Sequence, residues 1–245
     1  MKVTFLGTNG WYDTARANTV CALAEGKNFY LILDAGGGLY RLKDLIREDK
    51  PVYMLLTHLH MDHIYGLSIL PLFTWKQGLT IIVPDNLLED LKNIFRLPYM
   101  PPPQKLKMPV EIKKLSEAAG LPFEVSAKPL KHAVETFGFR ISAEGKTLVF
   151  GLDSGPCQNL NDLARGADLF ITECSFLPEQ APHTMHLNPE QAALAAKSAG
   201  AKKLALTHFK ADDYPSAEQR QAALEAALRI FAPVLAPQDG DVLEL

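Results

Sequence analysis

Residues 55–67 read LLTHLHMDHIYGL, and the crowding of His58, His60, Asp62 and His63 straight after an apolar run decides how the rest of the chain is read. One histidine at an apolar edge is ordinarily a hydrogen-bonded core residue. Three imidazoles with a carboxylate leave two readings: a loop that holds metal, or a histidine-rich polar turn that caps the helix after it. Without a metal, such a cluster has no structural task at the end of a buried strand, and imidazole with carboxylate is a donor set for zinc, manganese or iron. His58 and His60 lie two apart where the chain leaves a strand, so they can point the same way. Asp62 and His63, in the following turn, can face a neighbouring point. One loop can thereby serve two ions, which in dinuclear sites lie roughly 3.5–4 Å apart.

The chain around this loop has 245 residues, 47% hydrophobic and 22% charged, which is enough apolar material for one large core or two fused halves. A net charge of -3 offers no bulk attraction to a phosphate backbone, so nucleic acid could be held only by a local patch. Cys21, Cys157 and Cys174 are odd in number and far apart, which argues against a disulfide framework and for a reducing, cytoplasmic home. The opening MKVTFLGTNGWYD meets Gly, Asn and Asp before an apolar signal region could form, and no apolar stretch approaches membrane-spanning length. No membrane association is expected.

Short strand-like runs recur along the chain, among them KVTFLG, NFYLILDAGG, VYMLLTH, LTIIVP, KTLVFGLD, LFITECS and KLALTHF. Helical spacing appears between them in LYRLKDLIRED, NLLEDLKNIFRL and AEQRQAALEAALRIF. NPEQAALAAKSAG predicts a helix with Asn188 as N-cap, Pro189 at its first position and Gly200 closing it. Strands alternating with helices, and no linker, predict layered α/β architecture in a single domain over 1–245. The proline-rich stretch 97–109 reads as a stiff connector or as the rim of a pocket. DAGGG at 34–38 lacks the spacing of a nucleotide-binding loop and reads as a tight strand-to-helix turn.

Beyond the first loop the remaining histidines are His132, His183, His186 and His208. MLLTHLH (54–60) is echoed by LALTHFK (204–210), as expected if two similar halves each deliver a histidine from a strand end. Taken singly, His132 in PLKHAVET reads equally as a core histidine, and Asp153 in VFGLDSG as the start of a turn.

The series His58-x-His60-x-Asp62-His63, then His132, Asp153 and His208, resembles the ligand set of the metallo-β-lactamase fold superfamily, and the likeness runs from GTNG at the start to LTHF near the end. That resemblance implies a four-layer αββα sandwich of two similar halves with a dinuclear metal site at one edge. It implies that His58, His60 and His132 hold one ion, that Asp62, His63 and His208 hold the other, and that Asp153 bridges them. Asp34 matches a supporting aspartate that orients the histidine loop.

Residues 172–209, TECSFLPEQAPHTMHLNPEQAALAAKSAGAKKLALTHF, resemble the closing block of the ribonuclease Z-like branch. By that match Glu173 and His186 form a catalytic dyad, with Asp62 counted among the catalytic groups. Arg16 and Asn18 match positions near the substrate phosphate. His183 matches nothing specific and reads as a surface loop residue. The relatives also imply a homodimer.

The activity implied is metal-dependent hydrolysis of a phosphodiester, with a hydroxide shared between two divalent ions, zinc first and manganese or iron as alternatives. His186, oriented by Glu173, would serve the leaving group. The branch's tRNA-gripping arm has no room in the short stretch between His132 and Asp153, and its serine and arginine after LTHF are replaced by KADDYP. The expected substrate is therefore a small phosphodiester or an RNA 3′ end, and tRNA is disfavoured. Two other activities fit the same metals. One is an acyl hydrolase acting on a lactone, thioester or β-lactam, with an apolar pocket from Trp11, Tyr65, Phe73 and Trp75. The other is a non-catalytic metal-dependent carrier.

Overall fold

The computed structural model describes residues 1–178, 180–181 and 184–245, so His183 lies outside the described residues. Its first half builds β1 (Lys2–Gly7), β2 (Asn9–Gly10), β3 (Cys21–Glu25), β4 (Tyr30–Leu33), α1 (Leu42–Leu45), β5 (Val52–Leu55), α2 (Met61–Ile64), β6 (Leu79–Val83), α3 (Leu88–Ile94) and β7 (Val110–Lys114). The second builds β8 (Glu124–Pro129), β9 (Phe137–Ala143), β10 (Lys146–Gly151), α4 (Gln158–Ala164), β11 (Leu169–Glu173), α5 (Pro189–Ala199), β12 (Leu204–Thr207), β13 (Phe209–Lys210), α6 (Ala217–Leu228) and β14 (Val234–Leu235). The last strand, β15 (Val242–Glu244), returns to pair with β1.

A seven-stranded sheet runs β15-β1-β3-β4-β5-β6-β7, and a six-stranded sheet runs β14-β12-β11-β10-β9-β8. Alternation along the strands explains why the sheets face one another. In β4, Leu31 and Leu33 point into the core between the sheets, and Tyr30 and Ile32 into the core on the outer face. In β11, Leu169 and Ile171 point inward, and Phe170 outward towards the helices. Strands apolar on both faces must be covered on both, and the result is the expected αββα sandwich. Each fully buried Leu, Ile or Phe contributes about 1.5–3 kcal/mol, which makes register slips costly.

The parallel runs β4-β5-β6-β7 and β10-β11-β12-β14 leave their carboxyl ends free of hairpin turns. In open α/β sheets that is where ligand-binding loops gather. The echoed Leu-Thr-His segments leave β5 in one sheet and β12 in the other. The two-stranded β2-β13 ladder, pairing Asn9 with Phe209 and Gly10 with Lys210, ties the N-terminal loop to the segment after His208.

Two expectations need adjustment. LYRLKDLIRED forms a 3₁₀ turn over Gly37–Arg41 and only the four-residue α1, after which Ile46 turns extended. Leu39, Leu42 and Ile46 still bury at helical spacing, so the apolar pattern was real while the element is short. The 97–109 stretch is pinned by buried Met100 and Met108 between α3 and β7, which makes it an anchored connector. The α5 helix forms as its sequence predicts. Asn188 and Gln191 cap it reciprocally (2.9 and 3.1 Å), and Gly200 closes it at φ 63°.

Candidate metal centre

Five strands end at one edge and deliver polar side chains there: Asp34 after β4, His58 after β5, Asp153 after β10, Glu173 at the end of β11, and His208 after β12. Asp34, Asp153 and His208 all take left-handed backbone, with φ of 55°, 50° and 50°. Non-glycine residues rarely do so, and strain of this kind concentrates at functional sites.

Asp153 lies between two groups. Its Oδ2 is 3.4 Å from Nε2 of both His58 and His132 and 3.9 Å from His60 Nδ1. Its Oδ1 is 2.9 Å from His208 Nε2. That nitrogen lies 3.2 Å from His63 Nε2 and 3.3 Å from Asp62 Oδ2. Ligand atoms of His58, His60, His132 and Asp153 therefore converge, and so do those of Asp62, His63 and His208.

The chemistry of this donor set fits divalent ions. Among the described residues, His58 Nε2 is buried without a hydrogen bond, and such an atom costs about 1–3 kcal/mol unless a ligand satisfies it. Asp34, fully buried, accepts from Thr57 N (2.8 Å) and Thr57 Oγ1 (2.9 Å) and lies 2.7 Å from His63 Nδ1. This carboxylate–imidazole contact turns His63 Nε2 towards Asp62 and His208, in the arrangement that orients metal-binding histidines.

Charge is distributed unevenly. Burial pushes His58 down to about 4, helped by positive charge at His63, and burial also lowers His132. At His63 burial acts in the same sense, but the carboxylates of Asp34 and Asp153 outweigh it and hold the group up at about 10. His208 is raised well above its usual range against burial, by Asp153 and Asp62. Burial opposes ionisation of Asp153, yet His208 and His63 hold it well below the usual carboxylate range, and Asp62 is lowered the same way by His208 and His63. The carboxylates are thus ionised at neutral pH, and an ion entering between them must displace imidazolium protons.

Beside these groups stands the Glu173–His186 pair. Glu173 is fully buried, with Oε1 accepting from Ser154 N and Oε2 from Ser175 Oγ, each at 2.6 Å. Both its oxygens lie within 3.1 Å of His186 Nδ1. Burial disfavours a charged His186, but the hydrogen bond and charge of Glu173 prevail and raise it. The His186 ring packs edge-on against His132 at 4.9 Å, so the pair borders the cluster. Glu173 and His186 also come close enough to Asp153 to form a third group. The Asn188–Gln191 cap, two residues on, fixes the chain where His186 leaves it.

Arg16 and Asn18 sit on the loop that follows β2. Arg16 is exposed and lines a cavity of about 680 Å³ with Tyr214, Ser216 and Arg220. Asn18 Oδ1 faces Arg41 (3.4 Å), and its backbone N–H donates to Asp239 (2.7 Å). The cavity beside Arg16 is lined mainly by α6 and by the segment that leads to β15. The four-aromatic apolar pocket does not form. Phe73 and Trp75 stack at 4.3 Å within the buried core outside the seven-stranded sheet, and only Trp11 and Tyr65 are exposed.

Three positions went unread, Ser175, Thr57 and Gly10, and a fourth, Trp11, was read only as a pocket wall. Ser175 contacts Glu173 and also lies 3.3 Å from His208 Nδ1; its signal was its place two residues beyond Glu173, on the same strand-end face. Thr57 couples Asp34 to His58 and His63 of the first loop. A Cβ on Gly10 would come within 2.5 Å of the His208 ring, so only glycine lets that ring take its place. Trp11 donates its backbone N–H to Asp62 Oδ2 at 2.7 Å, a bond that no side-chain motif could announce.

A sandwich of two parallel-ended sheets with histidine and aspartate clusters at their shared edge defines a class. Residues 31–209 match the family model described as Beta-lactamase superfamily domain. The chain belongs to this superfamily of metallo-hydrolases. Among curated relatives, a ribonuclease Z of Ignicoccus hospitalis is 26% identical over 85% of this chain and 86% of its own length. The crystal structure of the metallo-β-lactamase fold protein YhfI from Bacillus subtilis superposes with TM-score 0.80 at 25% identity, covering 99% of each chain. The human short-form tRNase Z superposes with TM-score 0.76 at 25% identity, covering 100% of this chain and 99% of its own. Among the described residues no helix is long and apolar enough to cross a membrane.

Proposed function

We propose that the chain is a phosphodiester hydrolase working with two divalent ions, zinc first and manganese or iron as alternatives. His58, His60, His132 and Asp153 would hold one, and Asp62, His63, His208 and the other oxygen of Asp153 the second. Bound there, the ions supply an activated water at neutral pH and neutralise charge building on the phosphoryl oxygens.

The chain's own contribution is positioning and proton supply. Asp34 holds His63 in one tautomer, and Ser175 steadies both Glu173 and His208. His186, kept protonated by Glu173, gives its proton to the alkoxide as the phosphorus–oxygen ester bond breaks and water's oxygen adds to phosphorus. The observation that carries the reading is the buried Glu173 carboxylate gripping His186 at the border of the metal cluster (3.0 Å). A hydrolase of neutral acyl groups has less use for a second acid set against the ions, and the four-aromatic pocket such an enzyme would want is absent.

The relatives named ribonuclease Z and tRNase Z support an RNA or other phosphodiester substrate. Between His132 and Asp153 the chain runs straight through β9 and β10, joined by a tight turn at Glu144 and Gly145, and holds no arm. With a net charge of -3, that favours a small phosphodiester or an RNA 3′ end over whole tRNA.

The test is turnover of bis(p-nitrophenyl) phosphate by protein loaded in turn with zinc and manganese. Metal-dependent release of p-nitrophenol supports the reading. Absence of turnover with metal content verified would overturn it in favour of acyl substrates or a carrier role.

A further inference from the structure

The loop that passes closest to Asp62 ends in an exposed indole. Trp11 follows β2, whose Gly10 pairs with Lys210 of β13, two residues beyond His208. The register of this short ladder sets Trp11 beside Lys210, whose ammonium lies over the indole ring at 5.8 Å from its centroid. The backbone of Trp11 is committed to the site, since its N–H donates to Asp62 Oδ2 at 2.7 Å and its φ of 74° is left-handed. The ring is not used in packing: Trp11 is 64% exposed.

Its neighbours hold the loop from several sides. Tyr12 donates its hydroxyl to Asp212 and its backbone N–H to Gly10 O (3.0 Å), Asn9 Nδ2 donates to Ala17 O (3.1 Å), and Lys210 pairs with Asp213 (3.1 Å). The indole is thus a large apolar ring in water on a braced loop whose main chain donates to Asp62. A flat aromatic ring with a cation over it suits a ligand with a π-face attached to an anion.

We propose that Trp11 is a stacking platform for a nucleobase of the substrate, with Lys210 fixing the indole and screening the adjoining phosphate. The inference rests on the phosphodiester reading and narrows it to nucleotide diesters. The base lies against Trp11, on the Asp62 and His208 side of the cluster, while the phosphate sits between the histidine groups. The platform is sequence-tolerant, because every base presents a π-face.

Binding of AMP and of ribose 5-phosphate, measured by equilibrium dialysis on the protein as isolated and on Trp11→Ala and Trp11→Phe, tests this. The two ligands share sugar and phosphate, so their affinity ratio reports the base alone. In the unaltered protein AMP binds about 5- to 150-fold tighter than ribose 5-phosphate, the range for stacking on one aromatic side chain. Trp11→Ala brings the ratio near one, and Trp11→Phe restores most of it. Every variant keeps the backbone N–H to Asp62, so a merely structural role for Trp11 would weaken both ligands together and leave the ratio unchanged. AMP also quenches the exposed indole emission, whereas the buried Trp75 does not respond.

Equal affinities in the unaltered protein, an unchanged ratio in Trp11→Ala, or no binding of AMP at millimolar concentration would overturn the proposal. So would a blue shift of the indole emission that follows protein concentration alone, which would assign the ring to contact with a second copy. Loss of diester turnover with the ratio intact sinks the phosphodiester reading and leaves the base platform standing. Turnover with a ratio of one does the reverse.

Discussion

Replacing Asp34 by Asn separates orientation of a metal-binding histidine from shape. The substitution is nearly isosteric, and Asn tolerates the left-handed backbone at this position (φ 55°). The carboxylate now serves three partners, Thr57 N at 2.8 Å, Thr57 Oγ1 at 2.9 Å and His63 Nδ1 at 2.7 Å. An amide has one acceptor and one donor end. If its oxygen keeps the Thr57 N–H, its NH₂ meets His63 Nδ1 and donates, which moves the imidazole proton to Nε2, the atom facing Asp62 and His208. If it flips, two N–H groups oppose each other at Thr57. The first arrangement takes the Nε2 lone pair away from the second group of ligands, and the flipped one keeps it only by leaving the buried Thr57 N–H without an acceptor. Loss of such a supporting contact costs about 10–100-fold in metal affinity, or about 1.4–2.7 kcal/mol. The metal-free protein also loses a charged hydrogen bond worth about 1.5–3 kcal/mol. Competition against a chromophoric chelator measures the first quantity and urea unfolding of chelated protein the second. Zinc affinity equal to that of the unaltered protein would refute the role assigned to Asp34.

Other perturbations divide the site into parts. His186→Ala is expected to keep full metal content by elemental analysis and to lower kcat by about 10²–10⁴-fold; wild-type turnover would remove the dyad from the mechanism. Glu173→Gln removes what raises His186, so its protonated form, which predominates below its raised pKa, is lost at a lower pH. The alkaline limb of the kcat profile should therefore move to lower pH, and an unmoved limb would contradict the assignment. Asp153→Ala takes away the carboxylate common to both groups, and elemental analysis should show the protein stripped or substoichiometric in metal. Gly10→Ala places a Cβ 2.5 Å from the His208 ring, so the ion beside Asp62 and His63 should be lost first, read as a fall in stoichiometry towards one.

The parts of this account that were legible in the sequence are those written in periodicity and in chemically distinctive residues. Strands alternating with helices announced a layered α/β architecture, and the repeated Leu-Thr-His announced that two similar halves each send a histidine from a strand end to one site. His58, His60, Asp62 and His63 were legible because few other tasks gather imidazoles so closely. His132, Asp153 and His208 were ambiguous singly and acquired meaning only as an ordered set. What was hidden depends on contacts far apart in the chain. Gly10 matters because β2 lies beside β13, some two hundred residues later, and Trp11 touches Asp62 through its main chain, which carries no sequence signal. Phe73 and Trp75 were named as walls of an apolar pocket, but the chain beyond the 3₁₀ turn at Tyr65–Leu72 buries both in the core. Arg16 and Asn18 were named by likeness of position alone; Arg16 lines the cavity beside α6, and Asn18 bonds to Arg41 and Asp239.

The central claim is that one aspartate joins two ion sites at the shared edge of the sheets. It is tested most directly by the anomalous signal of crystals of zinc-loaded protein. Two peaks are predicted, roughly 3.5–4 Å apart, one among His58, His60 and His132, the other among Asp62, His63 and His208, with Asp153 between them. A single peak in fully loaded protein, or peaks that leave Asp153 uncoordinated, would contradict it.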